Sequence, residues 1–316
     1  MPAETVTRVE FDIDWPPGQV ACYVLDGEET VLFDGGGLPE WNDGPSFAER
    51  SGYELDEFDR VFLTHPHPDH TGQVRAVCEA GDPVVYAPHT ARDRLRRPIE
   101  EVVARSRRAL NEGGMDAENR ERFLDEEREI REIMAQNLPI DAVDEWLVDD
   151  QRVVAGERTV DVVWTPGHQA DHLCYLTEVN GERVAFSGDM GVEPFRAALL
   201  NDRLDREYHS SVGAYLRSLD RLAETDVDRV YPAHGPAHGD LNASLADDRE
   251  SVERRLRGVR ESLADGEKTA ADVTDEVSGG HDALYLFPEV MSALAHLERV
   301  GDVIREPGEP ARYRLS

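Results

Sequence analysis

Residues 61–72 read VFLTHPHPDHTG, a short apolar run that breaks into three histidines and an aspartate with prolines between them. The apolar run has the length and β-branched content of a buried strand, and "GQVRAVCEA" just after it has helical spacing. His65, His67, Asp69 and His70 therefore belong to a loop at the C-terminal end of a strand, ahead of a helix, where open sheets commonly place ligands. Proline fixes its own φ and pushes the preceding residue to extended backbone, so the loop is preset. An exposed, turn-rich polar loop is the other reading of these twelve residues, and the rest of the chain has to decide between them.

Strand signals dominate the first ninety residues. "VTRVEFDID" alternates, "VACYVLD" is apolar, "VLFDGGG" ends a strand in a glycine cluster, and "DPVVYAP" is a further strand. From about residue 90 to 140 the chain becomes charged and helical in period, broken at Gly113 and Gly114. This is a helical insertion, lying either beside the site or as a solvated pair with no role in binding. Strands return at "RTVDVVWTPGH", "HLCYLTEV" and "RVAFSGDM"; a helix follows in "SSVGAYLRSLDRLAE", then "DRVYPAHGP". Two strand-rich halves predict an α+β fold of two packed sheets with helices outside. In the last fifty residues, helix, helix and a short hairpin ("GDVIREPGEPARYRLS") outline a winged-helix module. The expected division is 1–240 for the sandwich and 241–316 for a linker helix and winged-helix-like domain.

Composition bounds the setting. The 34 basic residues against 66 acidic ones leave a formal charge of −32, yet 40% of the residues are hydrophobic, enough for a core. Lys268 is the only lysine. Short carboxylate side chains hold water and ions, whereas a lysine stem exposes apolar surface and loses entropy on ordering. Such a folded, acid-rich, lysine-poor chain resembles proteins of extreme halophiles. At about 1 M salt the screening length is only roughly 3 Å, so net acidity argues little against a nucleic-acid partner. Cys22, Cys78 and Cys174 lack paired spacing, which points to a reducing cytoplasm with no disulfide framework. The N-terminal residues lack the pattern of a signal peptide, and no apolar run approaches membrane-spanning length. The expectation is a cytoplasmic protein without a membrane partner.

Of the eleven histidines, four fall at strand ends in glycine- or proline-rich loops: His65 and His67, then His168 in "TPGH" and His234 in "PAHG". His70 joins the first cluster, and Asp69 and Asp189 (in "FSGDM") stand in equivalent settings. Imidazole and carboxylate are the ligand set of zinc and similar divalent ions. Seven such groups exceed one tetrahedral site and match two neighbouring metals sharing a carboxylate.

His65-Pro-His67-Pro-Asp69-His70, then Gly167-His168, Gly188-Asp189 and His234-Gly235, resembles the metallo-β-lactamase superfamily in order and spacing. The resemblance covers roughly residues 18 to 240. It implies a four-layer αββα sandwich with the site at the sheet edge. It also implies that His65, His67 and His168 hold a first metal, Asp69, His70 and His234 a second, and that Asp189 bridges them. Asp34 of "FDGGG" matches the family's aspartate-glycine turn, which supports the site loops without binding metal. Two zinc ions are the implied cofactor, with iron or manganese as substitutes. A bridging hydroxide would be the nucleophile, with Asp69 orienting it. Asp189 stands where β-lactamases of the main class carry cysteine, which disfavours antibiotic hydrolysis. The helical insertion is too short for the cap of the mRNA-processing nucleases, and His67 excludes the flavodiiron branch. "TPGHQADHLCYL", "AYLRSLDRL", "VYPAHGP" and the terminal module look most like the β-lactamase-like protein 2 branch.

Three activities follow from that likeness. The first is hydrolysis of thioesters, esters or similar small-molecule acyl substrates; no general acid is assignable, which suits a thiolate leaving group. The second is endonuclease action on single-stranded RNA held by the winged helix. The third, of another class, is a mononuclear iron persulfide dioxygenase using two histidines and an aspartate. The helical insertion could carry a homodimer contact. His172 is expected to touch the ligands without binding metal, and His89, His209, His238, His281 and His296 are expected to be non-ligands. Tyr215 and Cys174 read as core, and the carboxylates near 125–132 as a hydrated helix face.

Overall fold

The computed structural model of the chain describes residues 4–14, 17–38, 45–200, 203–205, 208–280 and 282–316. A first sheet runs β1 (Thr5–Asp12), β2 (Gln19–Asp26), β3 (Val31–Phe33), β4 (Arg60–Phe62), β5 (Val84–Pro88) and β6 (Glu145–Leu147) in that spatial order. Its first two pairings are antiparallel and the rest parallel. The second sheet runs β11 (Arg229–Pro232), β10 (Glu182–Gly188), β9 (Leu173–Val179), β8 (Arg158–Trp164) and β7 (Arg152–Ala155). Only its β10–β11 pairing is parallel.

Alternation along the apolar strands explains why these two sheets stack. In β2, Ala21, Tyr23 and Leu25 face the second sheet, packing with Phe33, Phe62, Tyr175 and Phe186. The Phe33 and Phe186 rings stack with centroids 3.7 Å apart. Val20, Cys22 and Val24 point the other way, into a cluster with Phe47 of α1 (Phe47–Ser51) and with Val74 and Val77 of α3 (Val74–Ala80), which follows α2 (Pro68–Thr71). A strand buried on both faces needs an unbroken apolar run, which "VACYVLD" supplies. The outer face of the second sheet, through Cys174, Leu176, Ala185 and Val230, is covered by a further helical layer. The result is the helix–sheet–sheet–helix sandwich that the resemblance implies.

The charged segment from 90 to 140 forms α4 (Ala91–Arg96), α5 (Ile99–Gly113) and α6 (Ala117–Asn137). It is not a solvated appendage: Leu110, Phe123 and Leu124 are fully buried, and α6 packs against α2, which carries Asp69 and His70, and against α3. One expectation fails here. Among the carboxylates near 125–132, Glu127 is completely buried, because Arg131 and Arg203 both pair with it, each at 2.9 Å.

After α7 (Ser211–Ala223), the chain ends in α8 (Leu241–Ser262), α9 (Ala270–Val277), α10 (Ala283–Val300) and a hairpin of β12 (Val303–Glu306) and β13 (Arg312–Leu315). Helix, helix and hairpin thus follow one another as the sequence predicts. Their apolar side chains join one core with the insertion and α7: Phe287, Met291, Val273 and Tyr313 share it with Leu110, Phe123 and Tyr215. At Gly113 a Cβ would stand 2.3 Å from the Phe287 ring, so this crossing of α5 and α10 requires glycine. No helix among the described residues is long and apolar enough to cross a membrane.

A shared core predicts shared unfolding. Phe287→Ala should cost about 3–5 kcal/mol, and wild type and variant should each lose structure in a single denaturant transition. A separate early transition of the last 76 residues, counting 241 to 316, would contradict the continuous core.

Asp248 of α8 supplies a pH test. It accepts a hydrogen bond from the Tyr215 hydroxyl at 2.7 Å, and burial pushes its carboxyl up to about 6. A carboxyl raised in the folded state holds its proton longer there than in the unfolded chain. Its contribution is therefore intact below about pH 4 and lost as pH rises through 6. The stability of Asp248→Asn relative to wild type should rise by roughly 3 kcal/mol between pH 4 and 7, read by denaturant unfolding at both values.

Candidate metal centre

Local backbone explains the presentation of the first cluster. Pro68 occupies the first position of α2, where its missing N–H costs nothing, and His67 is the extended residue before it. The turn ends at Gly72, whose hydrogen would be replaced on substitution by a Cβ 2.3 Å from the Gly37 carbonyl carbon. Thus the "GGG" of residues 35–37 serves as a floor for the histidine loop: Gly72 N–H donates to the Gly36 carbonyl and Gln73 N–H to that of Gly35.

The loops at the ends of β3, β4, β8, β10 and β11 converge. His65 Nε2 and His168 Nε2 lie 3.0 and 3.2 Å from His67 Nδ1. Asp189 stands at the centre: one oxygen is 3.0 Å from His168 Nε2, the other 3.2 Å from His70 Nε2 and 3.4 Å from His234 Nε2. Asp69 lies 3.6 Å from His234 Nε2. Three triads, His65/His67/His168, His65/His70/Asp189 and Asp69/His70/His234, each bring their ligand atoms within 4.8 Å of one another. All seven ligand residues expected from the sequence are therefore gathered in one place. His89, His209, His238 and His296 are in none of these groups, and His281 lies outside the described residues.

The remaining ring nitrogens are tied back. His168 Nδ1 donates to the Ala198 carbonyl and His234 Nδ1 to the Gln19 carbonyl, both at 2.7 Å. His65 Nδ1 meets Thr64 Oγ1 at 3.1 Å, and His70 Nδ1 meets Asp34 at 2.9 Å. With Nδ1 tied back on these four, each Nε2 faces inward, the atom that metal ligation requires. His67 presents Nδ1 instead, and its Nε2 meets the Gln169 amide, which Arg94 of α4 contacts from the insertion side. Asp34 sits where the resemblance puts it, outside the ligand set, accepting from Thr64 N–H and Oγ1 at 2.8 Å each. His172 also stays outside: Nδ1 meets Thr165 Oγ1 at 2.7 Å, and Nε2 accepts from Asp189 N–H at 3.0 Å.

Electrostatics match this division. Burial pulls His65 and His67 well below the usual histidine range and His172 down to about 3, so these imidazoles are neutral. Burial also opposes charge on Asp189 and His70, but the surrounding histidines hold Asp189 well below the usual carboxylate range. Asp189, Asp34 and Asp69 raise His70. His70 Nε2 and Asp189 Oδ1, both buried, make no hydrogen bond of good geometry among the described residues. A buried donor set whose ring nitrogens and carboxylate oxygens face one another is what a cation would complete, displacing the proton that the carboxylates hold on His70.

Sequence reasoning did not find Thr64, Thr165, Gln169, Arg94, or the carbonyls of Gln19 and Ala198. The two threonines flank motif residues and were visible in principle; a backbone carbonyl carries no residue-type signal.

The family model described as metallo-beta-lactamase superfamily matches residues 15–234. The chain belongs to that superfamily. With histidine and aspartate groups that could bind metal, it is a hydrolase of the metallo-beta-lactamase fold. It is similar to lactamase-like protein adaB of Aspergillus niger, 26% identical over 299 residues, covering 92% of this chain and 73% of that protein. It is also 26% identical over 265 residues to an atrochrysone carboxyl ACP thioesterase of Aspergillus chevalieri, covering 81% of this chain and 66% of that one. A metallo-beta-lactamase family protein from Thermus thermophilus shares the fold across 100% of this chain and 99% of its own, at TM-score 0.79 and 24% identity. A beta-lactamase domain protein from Burkholderia ambifaria does so at 0.76 and 22%, covering 98% of this chain and 92% of its own. The superposition with the Thermus protein thus includes the terminal helices and hairpin.

Asp34→Ala leaves Thr64 N–H and the His70 ring without their acceptor. Its affinity for added divalent metal, read by chelator competition, should fall about 10- to 100-fold. Stability should drop by about 1–3 kcal/mol for each buried group orphaned.

Proposed function

We propose that this chain is a dinuclear, zinc-dependent hydrolase of thioesters or closely related small acyl compounds. The observation that carries the proposal is the placement of Asp189, one oxygen toward the His65/His67/His168 group and the other toward His70 and His234. A carboxylate so shared suits two cations better than one. His65, His67 and His168 would hold the first ion and Asp69, His70 and His234 the second. Bound divalent ions would acidify water to a nucleophile near neutral pH and polarise the substrate carbonyl. The chain's own contribution is to exclude bulk water from these groups, hold each imidazole proton at its outer nitrogen, and let Asp69 accept a hydrogen bond from the attacking water. A thiolate leaves without needing a proton, which fits a centre with no dedicated acid. The thioesterase named among the relatives supports the same substrate class.

The test is a panel of acyl thioesters, esters and labelled single-stranded RNA, assayed in molar salt on protein of measured metal content. Two zinc ions per chain and thioester cleavage are expected. His67→Ala should lower kcat/KM by more than about 100-fold, beyond the cost of losing an outer partner of a ligand. RNA cleavage without thioester cleavage would replace this reading with a nuclease, and one iron per chain without zinc would replace it with an oxygenase.

A further inference from the structure

One contact between the C-terminal helices and the residues behind the metal centre is polar and buried. Glu289 lies in the second turn of α10 and is 1% exposed. It accepts from Arg196 Nη2 at 2.8 Å, from Arg255 Nε at 3.2 Å and, through its other oxygen, from Leu199 N–H at 3.0 Å. Arg196 also donates to the Ala197 carbonyl at 2.7 Å. The next carbonyl along, that of Ala198, receives the His168 Nδ1 proton at 2.7 Å, and Leu200 N–H donates to the His168 carbonyl at 3.1 Å. Residues 196–200 are therefore a strap, clamped on one side by the buried carboxylate and fastened on the other to a ligand histidine.

This strap is not a helix or strand, so no regular ladder fixes the direction of its carbonyls. Burying a glutamate and an arginine together is costly unless their hydrogen bonds are filled, and replacing such a pair with apolar side chains is often neutral or stabilising. Stability alone therefore gives weak reason for a charged Glu289. A charge-assisted bond to one backbone N–H, by contrast, orients the peptide group between Ala198 and Leu199. In a trans peptide the C=O and N–H point in opposite directions. Holding Leu199 N–H toward α10 therefore turns the Ala198 oxygen toward His168.

We propose that Glu289 is a positioning residue for the metal centre. Through the Ala198–Leu199 peptide it fixes the ring orientation and proton of His168, so that the C-terminal segment orients a ligand set built wholly from the sandwich. The inference rests on the metal-holding role of His168 given above.

The experiment uses the full chain in molar salt and reads zinc affinity by chelator competition, with thermal unfolding of the metal-free protein alongside. Glu289→Leu combined with Arg196→Met removes the carboxylate without stranding its main partner's charge. Its zinc affinity at the more affected site should fall about 10- to 100-fold. Glu289→Gln keeps a neutral acceptor for Leu199 N–H and should fall between it and wild type, about three- to tenfold down. Leu297→Ala, two turns further along α10, creates a cavity in the same core while leaving the hydrogen bonds of Glu289 to the strap in place. It should lower thermal stability and leave zinc affinity within about twofold.

Wild-type zinc affinity in either Glu289 variant would overturn the proposal, and where the double variant does not fold the Glu289→Gln value decides. An equal loss of affinity in Leu297→Ala would also overturn it, since general loosening would then explain the effect. If the wild-type chain binds no zinc, it is the metal reading itself that fails. If zinc binds as expected but no thioester is cleaved, only the substrate class fails.

Discussion

Nine ionisable side chains converge at one sheet edge, and the rest of the structure is arranged to make that tolerable. His65, His70, His168, His172, His234, Asp34, Asp69 and Asp189 are all buried, and His67 is nearly so. Groups of this kind leave water only when partnered. Each therefore draws a particular neighbour with it: Thr64 and Asp34 behind the first loop, Thr165 behind His172, and the Gln19 and Ala198 carbonyls behind the later histidines. The inner nitrogens cannot be matched in this way without blocking the centre. Bound cations would satisfy them together, and folding and metal binding would then be coupled by the chemistry of the donors.

The sandwich is the device that brings these groups together. Ligands arrive from loops after β4, β8, β10 and β11, which belong to both sheets. Only when the aromatic interface of Phe33, Phe62, Tyr175 and Phe186 is packed do the two halves of the centre meet. Tyr175 stitches the sheets beside it, donating to the Leu63 carbonyl two residues before His65. The apolar interface and the polar centre are thus one cooperative unit.

This arrangement was legible in the sequence wherever side-chain type carried the information. The histidine and aspartate motifs, the two-faced apolar strands and the order of elements could all be read, because metal ligation and double-sided burial tolerate few residue types. Contacts that run through backbone atoms could not: the Gln19 and Ala198 carbonyls could belong to any residue. Glu127 was misread because its local context is a solvated one. Its neighbour Asp125 is well exposed, and of the two arginines that pair with Glu127 only Arg131 is near it in sequence, whereas Arg203 is distant. Glu289 was hidden for a similar reason, lying in an apolar helix whose partners come from residues 196 and 255.

Those buried pairs take on more weight in a chain of net charge −32. Exposed ion pairs such as Arg75–Glu79 contribute little and are screened by salt, whereas pairs removed from solvent are screened much less. The buried ones sit at joints. Glu127 with Arg131 and Arg203 ties the insertion to residues 203–205, where Arg97 pairs with Asp205, and Arg196 with Glu289 ties α10 to the strap behind His168. The acidic surface can then serve solvation, while the arginines that enter the protein fasten its added helices to the metal centre. Lysine would not serve at these joints, since a planar guanidinium can fill two acceptors in fixed directions and an ammonium cannot.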